Sequence, residues 1–301
     1  MMNASSNHLG RVVTYLREDL LAQPVRLRRA LTDQPNLVNS CPALLGRHEE
    51  SGVGLDSVMQ WHRWNPQDLS WPARQRLDVG YRHAPRHIPE LRALCKETEI
   101  PEWSCDIQEV EGIAASKSKL EGASDLDAWV ESRASHLIED ISEEGLAAVL
   151  SHDQIRILNS PRHSDYFQKH TWDGRVFWVN DGGSHHFAAA RYIASRIGQP
   201  VRLTALLKTY SIDPDVVSSL REQYEVFAIE EDEERRLAVQ SALESVGAAY
   251  CWGQLPPPCA EQAFVVLLPK NDRRARRAAQ VMRETGTFDL GAHLSELSAT
   301  S

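Results

Sequence analysis

The chain has 301 residues, 42% hydrophobic and 25% charged, with 33 lysines and arginines against 42 aspartates and glutamates, a formal charge of −9. That is the balance of an ordinary globular protein with a sizeable core, and its acidity argues against a generally basic nucleic-acid binder. No apolar run has the length of a transmembrane helix, residues 1–9 lack the apolar core of a signal peptide, and five cysteines suit a reducing compartment better than a disulfide framework, so a cytoplasmic protein without membrane contact is expected.

Taken in chain order, residues 1–8 read as a polar, mobile start. The spacing of Val12, Val13, Leu16, Leu20, Leu27 and Leu31 predicts helix over 9–31, broken or kinked at Pro24. Residues 32–56 read as loop from their Pro, Asn, Ser and Gly content. Between 59 and 94, Trp61, Trp64, Trp71 and Tyr81 alternate with Arg63, Arg74, Arg76, Arg82, Arg86 and Arg92. Such a stretch suits stacking on bases with contacts to phosphate, or anchoring of an irregular segment with arginines reaching water.

A strand is predicted over 105–113, carrying Glu109 and Glu111 at its end, followed by a polar loop with Lys117 and Lys119. Ser124 or Asp125 caps a helix that begins at Leu126 and stops near Gly145. Residues 146–150 then read as an apolar turn and 154–158 as a short strand. Asp173-Gly174 is a hairpin signal ahead of a strand over 175–180. After a helix over 188–197 come a strand over 201–207, a helix over 216–224 and a strand over 224–229. A helix over 235–246, a buried strand over 263–269, a basic helix over 272–282 and a last short helix complete the chain. The basic helix carries Arg273, Arg274, Arg276 and Arg277.

The junction Asp181-Gly182-Gly183-Ser184-His185-His186 joins the strand over 175–180 to the following helix. Backbone N–H groups at a helix N-terminus are unpaired and carry the positive end of the helix dipole, so phosphate is favoured there. The two glycines permit positive φ and close approach of a ligand. The histidines also read as caps or core residues, and Arg191 lies farther along the same helix.

This turn, with Ala189 and Tyr192 on its helix, resembles the glycine-glycine-cysteine-histidine turn of sulfiredoxin and, more broadly, the ParB-like superfamily of partition proteins and a free-serine kinase. The resemblance covers residues 103–210 and implies an α+β fold: a ParB/sulfiredoxin-like mixed core over 101–212, with a helical and irregular segment over 1–100 and an α/β extension over 213–301. It implies that Asp181, Gly182, Gly183, Ser184, His185 and His186 hold nucleotide phosphates, with Lys117 and Arg191 in support. ATP, ADP or CTP with magnesium is the expected cofactor. Glu109, Glu111 and His185 are the candidate catalytic groups, and Glu111 the candidate magnesium ligand. Ser184 stands where sulfiredoxin has its cysteine, which removes thiolate chemistry, and His186 stands where an arginine usually follows.

Two functions follow. One is nucleotide-dependent phosphoryl transfer or nucleotide hydrolysis, with an acceptor substrate that the sequence does not define. The other is a DNA-associated module, partition-like or nuclease-like, in which residues 61–92 and the arginines of 272–282 contact nucleic acid while the turn binds a regulatory nucleotide or none.

Overall fold

A computed structural model describes residues 14, 18, 23–32, 52–64, 70–77, 80–160, 162–230 and 233–299. The expectations for residues 1–8, for the predicted helix at 9–13, 15–17 and 19–22, and for 33–51 lie outside the described residues. The fold is mixed α+β with helical additions.

In chain order the elements are α1 (Val25–Thr32), β1 (Ser70–Leu77), β2 (Gly80–His87), α2 (Pro89–Arg92), β3 (Cys95–Asp106) and β4 (Val110–Ile113). Then come α3 (Leu126–Arg133), α4 (Glu143–Leu150), α5 (Arg156–Asn159), β5 (Tyr166–His170), β6 (Val176–Val179), α6 (Ser184–Ile197) and β7 (Arg202–Ile212). The remainder is α7 (Pro214–Gln223), β8 (Tyr224–Glu230), α8 (Glu233–Ser245), β9 (Tyr250–Gln254), β10 (Ala263–Pro269), α9 (Arg273–Glu284), β11 (Phe288–Asp289) and α10 (Leu290–Ala299). No helix among the described residues is long and apolar enough to cross a membrane.

The described residues fall into two compact units. One comprises 52–59 and 95–212 and is built on a five-stranded sheet of order β3-β7-β5-β6-β4. Its β3/β7 and β5/β6 pairs are antiparallel, whereas β5/β7 and β4/β6 are parallel. The apolar side of α6, with Phe187, Ala188, Ala190, Ile193 and Ala194, is buried in the same core as Phe167, Trp178 and Leu203 of the sheet. Small alanines let the helix approach its neighbours α3 and α4 closely. Trp178 stacks on Phe187 at 4.4 Å between ring centroids, which ties the end of β6 to the start of α6. Burial of such rings is the main stabilising contribution here, about 1.5–3 kcal/mol for each large apolar side chain.

The other unit comprises 60–94 and 213–299 with α1 and is built on a sheet of order β11-β8-β10-β9-β1-β2, antiparallel at every pairing. Every residue of β10 is buried, as its unbroken apolar run requires of a strand covered on both faces. In α9, Ala275, Ala278, Ala279 and Met282 recur at helical spacing and are buried, leaving the arginines on the other faces.

Several local expectations are corrected. The strand over 105–113 is interrupted at Ile107–Glu109 by a 3-10 turn. Asp106 caps that turn through Gln108 N at 2.8 Å, and Glu109 Oε1 accepts Asp106 N at 2.8 Å. The helix that begins at Leu126 ends at Arg133 rather than near Gly145, because Ala134 adopts φ −150 and starts a 3-10 turn at Ser135–Leu137. Gly145 lies in the first turn of α4, where its N–H donates to the N-cap Ser142 Oγ at 3.1 Å, so 146–150 is helix and not an apolar turn. Segment 154–158 contains helix α5 and not a strand; Asn159 Nδ2 bonds the carbonyls of Leu150 and His152 at 2.7 and 2.9 Å and folds the segment back. By contrast, Asp125 caps α3 through Ala128 N at 2.7 Å, and Asp173-Gly174 turns the β5–β6 hairpin.

Trp61 and Trp64 are buried and meet edge to face at 5.5 Å, and Trp64 Nε1 donates to Gln254 O at 2.9 Å. These two tryptophans anchor their segment onto the sheet rather than offering rings to bases. The side chains of Trp71, Arg74, Arg76, Tyr81 and Arg82 lie outside the described residues.

Candidate functional site

The turn between β6 and α6 is held from three sides. Asn180 Nδ2 donates to Ala115 O at 3.0 Å and to Gly182 O at 2.8 Å, while its Oδ1 accepts Ala115 N at 3.0 Å. Arg156 bonds both the carbonyl and the carboxylate of Asp181, at 2.7 and 3.0 Å. Gly183 is the N-cap of α6 with φ +74, and a Cβ there would stand 2.5 Å from Gln154 O. No side chain caps this helix. A Ser, Asp or Asn at the N-cap position satisfies the first amides in most helices; glycine leaves them to a ligand or water.

A cleft of about 670 Å³ opens over the turn. Its walls are 115–117, residues of 133–137, 152–154 and 181–186, all from one unit. The volume is in the range of small-molecule sites. Lys117 and Arg133 bring positive charge to it, and His136, His152, His185 and His186 bring imidazoles.

His186 stacks on His152 at 3.6 Å, 18° between planes, and His185 stacks on the buried Trp129 at 4.8 Å. Trp129 Nε1 donates to Lys119 O at 2.8 Å, which fixes the ring beneath His185. His185 Nε2 and Ser118 Oγ are hydrogen-bonded at 2.8 Å, and Ser184 Oγ donates to Ser116 Oγ at 2.9 Å. Burial lowers the pKa of His185, assisted by His136 and Lys117. Burial also lowers that of His186, followed by the neighbouring His152, His185 and His136, with Asp153 opposing. Both imidazoles are therefore uncharged at neutral pH and able to accept a proton.

The structure brings Lys117 and Asp181–His186 together in the cleft, and it does not bring Glu109, Glu111 or Arg191 there. Glu109 closes the capping box of the 107–109 turn. Glu111 is exposed in β4, away from the cleft lining. Arg191 bonds Asp127 and donates to Val110 O at 3.1 Å, so its guanidinium joins α3 and β4 to α6. In the other unit, Arg274 donates to Val246 O at 2.6 Å and Arg276 to Lys270 O at 2.5 Å, while Arg273 is exposed and Arg277 half-buried.

Sequence reasoning missed Ser116, Ser118, Arg133, His136, His152, Gln154, Asn180 and Trp129 as site residues. Asn180 was within reach, since a polar amide at a strand end beside two glycines suits a side-chain clamp on a turn. The two distant histidines carry no local signal. Burial pushes the thiols up at Cys95 and Cys105, to about 12, at Cys251, to about 11, and at Cys259. A thiolate nucleophile is thus absent among these four cysteines.

The residues fit a phosphate group: helix amides without a side-chain cap, a glycine cradle and two cationic side chains on the wall. Among the described residues no group of three or more His, Cys, Asp or Glu is placed to hold a metal ion. The carboxylates on the cleft wall are Asp153 and the Arg156-bound Asp181.

The chain belongs to a family of unknown function (DUF6685), matched over residues 100–301. No curated protein and no solved structure matches it.

Proposed function

We propose that this protein is a nucleotide-binding, ParB-like or sulfiredoxin-like protein that holds phosphates on the 181–186 turn and carries out phosphoryl transfer or nucleotide hydrolysis there. The supporting observation is the uncapped N-terminus of α6, with left-handed Gly183, at the base of a 670 Å³ cleft carrying Lys117 and Arg133. Its amides and dipole face the region where a phosphate is favoured, and preorganised donors of this kind also stabilise charge that develops during transfer. With Glu109 and Glu111 outside the cleft, His185 is the base of this reading. Magnesium enters it as the counter-ion of the nucleotide's own phosphates, since such ions take only one or two protein carboxylates.

A screen of ATP, ADP, GTP, CTP and inorganic phosphate by thermal unfolding tests it. A ligand at about 100 times its Kd should stabilise the protein by about 2.7 kcal/mol. Stabilisation by none of them removes the reading. The DNA-associated alternative predicts a salt-dependent gel shift instead.

The histidines give the site a pH dependence of definite sign. Sulfate keeps its charge across the range, so it isolates the protein's titration. As pH falls below the ordinary histidine value of 6.5 and through the lowered values of His185 and His186, both gain charge and sulfate affinity rises. The ligand-free protein moves the other way: its unfolded imidazoles bind protons first, so stability is full above 6.5 and declines as pH falls below it. Calorimetric titration at neutral and acidic pH checks the first trend; an affinity that is flat or falls with acid contradicts it.

A further inference from the structure

We infer that Ser118, which adjoins the cleft lining and is hydrogen-bonded to the lining residue His185, is a nucleophile toward a phosphoryl group held there and that His185 is the base that takes its proton. The inference rests on the phosphate-site reading above and deepens it.

The geometry begins with the 115–118 loop, which Asn180 fixes to the turn through both backbone groups of Ala115. The loop is braced a second time, where Ser184 Oγ donates to Ser116 Oγ, and a third time within itself, where Ser118 N donates to Ser116 Oγ at 3.1 Å. These bonds hold the Ser118 hydroxyl beside the first turn of α6, with its Oγ 2.8 Å from His185 Nε2. That separation is hydrogen-bond reach for direct proton transfer. The imidazole is oriented by its stack on Trp129, whose own N–H is fixed on Lys119 O. The neighbouring residues Ser116, Lys117, Ser184 and His185 all line the cleft. A hydroxyl is a weak nucleophile until a base removes its proton, and burial keeps the His185 imidazole in the uncharged form that can do so.

The step balances with a phosphate anhydride such as a nucleoside triphosphate. The Ser118 hydroxyl proton passes to His185 Nε2 as Oγ bonds to the terminal phosphorus. The bridging P–O bond breaks, and the nucleoside diphosphate leaves with the bond's electron pair. His185 returns its proton to the leaving side or to solvent. Water, deprotonated by the same imidazole, then bonds to the phosphorus as the Oγ–P bond breaks, and His185 returns that proton to Ser118 Oγ, releasing inorganic phosphate; an acceptor hydroxyl can take the phosphoryl group in place of water. The amides of Ser184, His185 and His186, which no side chain caps, are the donors available to the anionic oxygens.

The test uses the full chain with magnesium ATP and three proteins: wild type, Ser118→Ala and His185→Gln. Each is followed by nucleotide-induced thermal stabilisation, by turnover, and by acid-quenched intact mass with peptide mapping. Ser118→Ala removes one hydroxyl from a half-buried loop position and should fold and bind nucleotide as wild type does. The expected result is turnover lowered about 10²–10⁴-fold in both variants, with nucleotide-induced stabilisation retained in Ser118→Ala and any covalent phosphoryl group confined to Ser118. Unchanged turnover in Ser118→Ala overturns the inference, as does a phosphoryl group on another residue. So does a wild type that is stabilised by ATP yet neither turns it over nor becomes labelled; in these three results the phosphate site itself stands. A wild type that no nucleotide stabilises removes the site reading, and the inference with it.

Discussion

Gly183→Ala is expected to destabilise the protein by about 2–4 kcal/mol and to remove its stabilisation by phosphate. Two costs combine. At φ +74 an alanine meets the left-handed penalty, and its Cβ would stand 2.5 Å from Gln154 O and 2.7 Å from the Gln154 carbonyl carbon. The obstacle is backbone and cannot swing aside as a long side chain would. Either the 152–154 wall or the turn must move, and the cleft is defined by both. Gly174→Ala separates the terms, because φ there is +89 and nothing lies within 4 Å of the added carbon. It should cost about 1–2 kcal/mol, the conformational term alone, and leave phosphate binding intact. Urea unfolding of the two variants, with and without phosphate, measures both; equal losses in the two would show that the contact with Gln154 is unimportant.

Trp129→Ala carries the second large effect. The indole is fully buried, donates to Lys119 O at 2.8 Å and supports His185 by stacking at 4.8 Å. Truncation should cost about 3–5 kcal/mol from lost packing and the cavity left behind. It also leaves the Lys119 carbonyl without its donor and the His185 ring without its platform. Trp129→Phe keeps an aromatic face under the imidazole but not the N–H, and should lose about 1–3 kcal/mol. Chemical unfolding distinguishes them, and a Trp129→Ala protein within about 1 kcal/mol of wild type would contradict this view of the core.

What the sequence revealed followed from how local each determinant is. The 181–186 turn was legible because a strand period, two glycines and a helix period adjoin in one short run, and each has its own conformational signature. The Asp125 cap and the Asp173-Gly174 hairpin were legible for the same reason. The break of the helix at Ala134 was not, since Leu137 and Ile138 continue an apolar spacing that suits either one helix or two short ones packed on α6. Glu109 was misplaced although its signal was present: Asp106 and Glu109 have capping-box spacing, which assigns both side chains to the backbone rather than to a ligand. Arg191 was misplaced for a different reason. Its partner Asp127 lies on α3, and no one-dimensional pattern joins the two. The same holds for His136 and His152, which reach the cleft only because α3, the 135–137 turn and α4 pack against α6.

The chemistry of the cleft also departs from what the resemblance to sulfiredoxin implies. The hydroxyl of Ser184, which the resemblance would set in the place of a cysteine, is engaged with Ser116. The hydroxyl paired with an imidazole belongs instead to Ser118, on the loop that Asn180 holds. His186 is stacked on His152, so the positive charge of the site depends on Lys117, Arg133 and the state of these rings.

The measurement that bears most directly on the central claim is a titration of the isotopically labelled protein with inorganic phosphate, followed through its backbone amide resonances. The account predicts saturable shifts centred on Ser184, His185 and His186, extending to the 115–118 loop, and absent in Gly183→Ala. Saturable binding whose shifts lie elsewhere, with the α6 N-terminal amides unmoved, would contradict it.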